Sequence, residues 1–211
     1  MSARDAILGR VAAAGPVARI PVARDYRRTG ALAPSDRLGL FCERVGEYRA
    51  DVHRVTASGA GRALAEVCGA LGARRLAVPA ALPEAWRPPE LELVEDRGLT
   101  PPQLDRLDGV LTGATVGIAE TGTIVLSGGP HEGRRALTLV PDLHVCVVEE
   151  RQIVELVPEA FARLGELVAE GRRPLTLVSG PSATSDIELS RVEGVHGPRT
   201  LVVILVEEEV P

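Results

Sequence analysis

The 211-residue sequence contains no lysine: all 24 of its basic residues are arginine. That absence excludes chemistry, because neither a Schiff-base lysine nor a P-loop lysine can be supplied. The segment Gly128-Gly-Pro-His-Glu-Gly133-Arg134-Arg135 keeps the glycine spacing of a P-loop. However, Arg134 stands where that motif has its lysine, Arg135 stands where it has its hydroxyl, and Pro130 removes a cradle N–H. It is not a nucleotide-hydrolase motif. Cysteine is scarce as well: Cys42, Cys68 and Cys146 are far apart and form no C-x-x-C pair. They are too few to ligate an iron–sulfur cluster alone and make a poor zinc site. An odd number of dispersed thiols suits a reducing cytoplasm better than a disulfide framework.

Aromatic residues make up 2% of the chain and do not interleave with a basic run. With a net charge of −5, nothing points to nucleic acid. Long apolar runs are missing: the longest, Leu201–Val206, falls far short of the ~20 residues of a membrane span. The N-terminus carries Arg4, Asp5 and Arg10 where a signal peptide needs an apolar stretch. The chain therefore reads as soluble and cytoplasmic.

What is present is an ordinary apolar share of 45%, enough for a sizeable core. Ser2 with Asp5 forms a capping box for a first helix bearing Ile7, Leu8 and Val11. Residues 17–34, with four arginines, two prolines and Gly30, read as an extended basic arm. It is either a solvated linker or a docking segment for a partner. Residues 1–34 thus form a helical extension and arm, and 35–211 a single α/β domain. Within the latter, Leu38, Phe41, Cys42, Val45 and Tyr48 share one helical face, as do Leu64, Val67, Cys68 and Leu71. Phe161, Leu164, Leu167 and Val168 mark a helix from Pro158 to Glu170. Strands are expected at Leu76–Pro79, Leu91–Val94, Gly109–Thr112, Thr123–Ser127, Ala136–Val140, His144–Val148, Leu175–Val178 and Leu201–Val206. Continuous apolar runs imply burial on both faces, hence an open sheet with helices on each side.

Polar residues cluster where these strands end, which is where open α/β sheets keep ligands. Glu120 follows Ile118-Ala119 and precedes Gly122, so the turn presents its carboxylate at a strand end. Desolvation there would suit it to proton transfer or nucleophilic attack; otherwise it fixes the turn. Ser127-Gly128-Gly129, with Arg134 and Arg135, is either a backbone nest for an anion or simply a turn. Asp142 and His144 share a strand face. With Glu120 they offer a weak metal set, and His144 fits better as a core or cleft-wall residue. Ser179-Gly-Pro-Ser182 follows a strand, and Ser185-Asp-Ile-Glu188 has the form of a capping box whose free N–H groups attract anions. No serine has a neighbouring base. His196, between Gly194 and Gly197-Pro198, either contacts a ligand or braces its loop. The two polar stretches, Leu111–Val148 and Ser179–Arg199, are expected to face one cleft.

Several of these motifs recur together in a known family. Ala119-Glu-Thr-Gly-Thr-Ile-Val-Leu126, Arg135 with Pro141-Asp-Leu-His144, Val147-Val148, Ile153-Val154, Ser179-Gly-Pro-Ser182 and Asp186-Ile-Glu188 through Gly194-Val-His-Gly-Pro198 resemble the lactate-utilisation protein C family, the LUD-domain proteins. The resemblance spans roughly Leu111 to Val206. It implies a fold like that of CoA-transferases and ribose-phosphate isomerases. It also implies a role in oxidising L-lactate to pyruvate beside partner subunits that carry the iron–sulfur clusters, with no cofactor in this chain. Ala183-Thr-Ser185 departs from the family's Arg-Thr-Ala, so an anion held there by arginine would need Arg191 or Arg199 instead. Glu120-Thr-Gly also looks like the catalytic glutamate turn of CoA-transferases. An alternative is therefore a free-standing enzyme of that class, acting on an acyl or phosphorylated small molecule. A second is a non-catalytic assembly subunit.

Overall fold

The structure, a computed structural model, describes residues 2–15, 22–171, 173–185, 191–194 and 196–209, with backbone alone at 170, 183–185 and 191–193. The elements run α1 (Ala3–Ala13), α2 (Pro34–Glu47), β1 (Asp51–Thr56), α3 (Ala60–Ala70), β2 (Arg75–Val78), β3 (Glu92–Glu95) and α4 (Pro101–Leu104). They continue as β4 (Gly109–Thr112), β5 (Val116–Ile118), β6 (Thr123–Leu126), β7 (Leu143–Glu149), β8 (Ile153–Val154) and α5 (Val157–Gly171). Last come β9 (Thr176–Val178), β10 (Ala183–Ser185), β11 (Arg191–Glu193) and β12 (Thr200–Glu207).

Six parallel strands form the main sheet in the order β1-β12-β7-β4-β2-β3. The two apolar runs at its centre, in β7 and β12, are buried on both faces, as continuous runs require. Val145, Val147, Val202 and Ile204 pack one face onto Leu64 and Cys68 of α3. Cys146, Val148, Val203 and Leu205 pack the other onto Leu38, Phe41 and Val45 of α2. The same cluster takes in Ile124 and Leu126, because a second sheet lies there, ordered β8-β5-β6-β9. Its far side, with Val116, Ile118 and Val125, is covered by Ala160 and Leu164 of α5. The fold is α/β with helices on both faces, as expected, and a small second sheet lies between the main sheet and α5.

Several local expectations give way to this arrangement. Leu175–Val178 is not a doubly buried strand: β9 is the edge strand of the small sheet, antiparallel to β6, and Leu177 is 51% exposed. Ala136–Val140 is a turn, closed by Leu137 N–H on Arg134 O and Val140 N–H on Ala136 O. Its apolar side chains divide accordingly, with Leu137 buried and Leu139 exposed. Phe161 and Val168 face outward, since Ala160 and Leu164 already fill the contact of α5 with the small sheet; Tyr48, at the C-cap of α2, is exposed as well. Ser185 ends β10, which pairs antiparallel with β11; Asp186–Glu188 lie outside the described residues. The Ser2–Asp5 capping box is present on α1, none of whose residues is buried. Among the described residues, no helix is long and apolar enough to cross a membrane.

Candidate functional site

Glu120 sits in the β5–β6 connection. The turn is held hard against α2: Gly122 has φ +57°, and a Cβ there would lie 2.5 Å from Arg44 C. Only glycine meets both conditions. The expected desolvation of Glu120 is not observed. Its side chain is 42% exposed and accepts a 2.6 Å bond from Arg27 of the N-terminal arm. The arm is not a free linker. Buried Glu155 accepts from Ala31 N–H and Leu32 N–H at 2.7 Å each, with Arg27 3.6 Å away, and Glu159 accepts from Gly30 N–H. Three carboxylates thus fasten the arm over the Glu120 turn. Gly30 makes this possible, because a Cβ at that position would collide with Glu155.

The Ser127-Gly128-Gly129 turn is a nest, as expected, but the chain supplies the anion itself. The Glu132 carboxylate, 4% exposed, accepts from Ser127 N–H at 2.6 Å and Gly129 N–H at 2.9 Å. Thr115 donates to its other oxygen and also bonds the Ser127 hydroxyl at 2.8 Å. Arg134 is likewise committed. Its fork grips Asp96 at 2.6 and 2.9 Å and reaches Leu99 O. That guanidinium, with the N–H groups of Leu99 and Gly98, holds the Asp96 carboxyl below its usual range. Neither the nest nor Arg134 is available to a ligand.

The remaining candidates converge. Arg135, His144, Ser179, Ser182 and His196 line one cavity of about 210 Å³, walled also by Thr138, Val178, Pro198 and Leu201. His144 and Leu201 are the second residues of β7 and β12, and Ser179 lies just past the end of β9. The cleft therefore sits at the amino ends of two central strands of the main sheet and the carboxyl end of β9, the edge strand of the small sheet. Ser179 Oγ bonds Thr123 Oγ1 at 2.8 Å, and Thr123 bonds Thr121 at 2.7 Å. Gly180, at φ +83°, turns the chain against Tyr48. Ser182 is a hub: its N–H donates to Pro198 O, and its Oγ accepts from His196 N–H. His196 is exposed and its backbone is fixed by that bond, so both ends of the second polar stretch are stitched together, while the Ser179–Thr123 bond ties that stretch to the first.

The electrostatics of this cavity are lopsided. Arg135 donates to Thr138 O and Oγ1, both at 2.8 Å, and forms no ion pair among the described residues. Partial desolvation lowers its pKa from the usual arginine value, yet it stays charged. His144 is 2% exposed and bonds Thr112 Oγ1 through Nε2 at 2.8 Å. Burial, with Arg135 beside it, pushes its pKa down to about 4, so the ring is neutral at pH 7. Burial also pushes the Cys146 thiol up to about 12, which removes it as a nucleophile. Among the described residues the cleft thus offers one uncompensated cation, a neutral imidazole and hydroxyls. Asp142 pairs with Arg199 at 3.6 Å and does not join Glu120 and His144 in a metal set. The Arg191 side chain lies outside the described residues.

Residues 80–206, which include the whole cleft, match the LUD domain family. This chain belongs to the LUD-domain family. A Deinococcus radiodurans relative named Lactate utilization protein C is 48% identical over 83% of this chain and 82% of its own length. An uncharacterised protein of Neisseria meningitidis is 30% identical over 98% of this chain and 94% of that protein. The crystal structure of a DUF162 family protein from Deinococcus radiodurans superposes with a TM-score of 0.74 at 42% identity. That likeness covers 83% of this chain and 99% of that one.

In this LUD domain the sequence reading missed Thr112, Thr123, Glu132 and Glu155. Thr112 ends β4 and gives no local sign that its hydroxyl meets His144, 32 residues away. Glu132 did leave a signal: an acid three residues beyond Gly129 is placed to satisfy the free N–H groups of a glycine nest.

Proposed function

We propose that this LUD-domain chain works in lactate utilisation, as a cytoplasmic component of a system that oxidises L-lactate to pyruvate beside iron–sulfur partner subunits. One observation carries the reading: Arg135 places a guanidinium with no ion-pair partner among the described residues at a small cleft built from both polar segments. A partly desolvated cation with no counter-ion among the described residues attracts a small organic anion, and lactate and pyruvate are such anions. The relative named for lactate utilisation supports the same assignment. Oxidation of a hydroxy acid releases two electrons, which the partner clusters would accept. This chain would bind the anion and orient it. Glu120 is the candidate catalytic carboxylate, reached when Arg27 releases it; its turn leads by Thr121 and Thr123 to Ser179 in the cleft.

The test is L-lactate-dependent dye reduction by the reconstituted system, with the chain present, omitted, or replaced by Arg135→Gln or Glu120→Ala. Thermal melts establish that each variant is folded. Loss of activity on omission and in folded Arg135→Gln supports the reading. A folded Glu120→Ala at full rate removes Glu120 from the site and leaves the anion role intact. Full activity without the chain refutes the pathway assignment and favours a free-standing CoA-transferase-like enzyme.

A further inference from the structure

We propose that the cleft selects a short 2-hydroxy monocarboxylate over its 2-oxo counterpart, with Arg135 pairing the carboxylate and His144 Nδ1 accepting the hydrogen bond of the 2-hydroxyl. This deepens the anion-binding reading above and rests on it. The selectivity follows from counting protons. Thr112 has one hydroxyl proton, and its Oγ1 lies 2.9 Å from Gly113 O, to which it donates. The Thr112 oxygen is then left to accept, so the bond to His144 Nε2 at 2.8 Å is donated by the ring. The ring is neutral, because burial beside Arg135 opposes a second proton. Its other nitrogen, Nδ1, therefore carries a lone pair. Nδ1 has no protein partner among the described residues, and His144 lines the cleft.

An acceptor in that place welcomes a hydroxyl and opposes a carbonyl. A 2-hydroxyl has a proton to give; a 2-oxo group would set its lone pairs against that of Nδ1. Arg135 is the one unpaired cation that the described residues place at the cleft, so a dicarboxylate would bring a second charge with no partner among them. Val178, Pro198 and Leu201 leave apolar wall for a short carbon chain, and about 210 Å³ is too small for a nucleotide. Thr112 is a positioning residue here: it sets the tautomer without touching the ligand.

The test uses the full-length chain labelled with ¹⁵N-histidine and titrated with L-lactate, pyruvate and propionate, which lacks the hydroxyl. L-lactate should bind about fivefold more tightly than either, the worth of one neutral hydrogen bond. Arg135→Gln should abolish binding of all three. Among the four histidines, the signal missing in His144→Gln should show an unprotonated Nδ1 that shifts with L-lactate. Thr112→Val, nearly isosteric, removes the acceptor for Nε2–H and frees the ring to carry its proton on Nδ1. Its melting curve establishes folding, and the preference for L-lactate over pyruvate should then vanish or invert. Equal affinities for the three ligands in the wild-type chain, a protonated Nδ1, or no binding at all would each overturn the proposal. The pathway assignment is judged separately, since only full dye reduction without the chain refutes it.

Discussion

The self-filled nest makes a quantitative prediction. Replacing Glu132 by alanine strands the Ser127 and Gly129 N–H groups, which now meet Oε2 at 2.6 and 2.9 Å. A buried donor left without its acceptor costs about 1–3 kcal/mol. Ser127 is buried, whereas Gly129 is only half-buried and can recruit water. Removing a buried carboxylate also relieves its own desolvation. The net expectation is a loss of about 3 kcal/mol, which for a chain of this length lowers Tm by roughly 6–12 °C. Glu132→Gln behaves differently. Its remaining oxygen can face both N–H groups while its NH2 donates to Thr115, so only the charge assistance is lost, about 1 kcal/mol. Urea and thermal unfolding of the two variants, with and without formate, separate the cases. Formate should raise the Tm of Glu132→Ala by refilling the nest and leave the wild type unmoved. An alanine variant as stable as the glutamine one would refute the reasoning, because the nest would then need no acceptor.

Three further outcomes follow from the same structure. His144 has a folded pKa of about 4 against an ordinary 6.5, so the unfolded chain takes up the proton first as pH falls. Stability is full above pH 6.5 and declines toward pH 4 by on the order of 3 kcal/mol; urea unfolding at pH 7 and 4.5 should show that decline, and His144→Gln should flatten it. Gly122→Ala places a Cβ 2.5 Å from Arg44 C at φ +57° and should cost about 2 kcal/mol or more, read as a lowered Tm. Glu155→Ala unfastens Ala31 and Leu32, and trypsin should then cut after Arg27 or Arg28 about tenfold faster while the core melts as before; an unchanged rate would mean that Glu155 does not hold the arm.

What the sequence made visible and what it hid divide along a physical line. Leu201–Val206 announced itself because burial on both faces of a central strand demands an unbroken apolar run, and nothing distant alters that demand. Ala136–Val140 has similar composition, yet its N–H groups find carbonyls three and four residues back instead of a neighbouring strand. Composition records how apolar a stretch is, not where its hydrogen bonds go. Charge is hidden in the same way. Arg134 and Arg135 are adjacent and chemically identical, and either could have faced the ligand. Asp96, 38 residues earlier, claims Arg134 with both oxygens. No described carboxylate claims Arg135, so its charge is left to the cleft. Likewise the glycine nest was legible as an anion site, and the anion proved to be Glu132. A sequence shows which groups can carry charge; only the fold shows which charges the protein has already neutralised, and function is sought among those that remain.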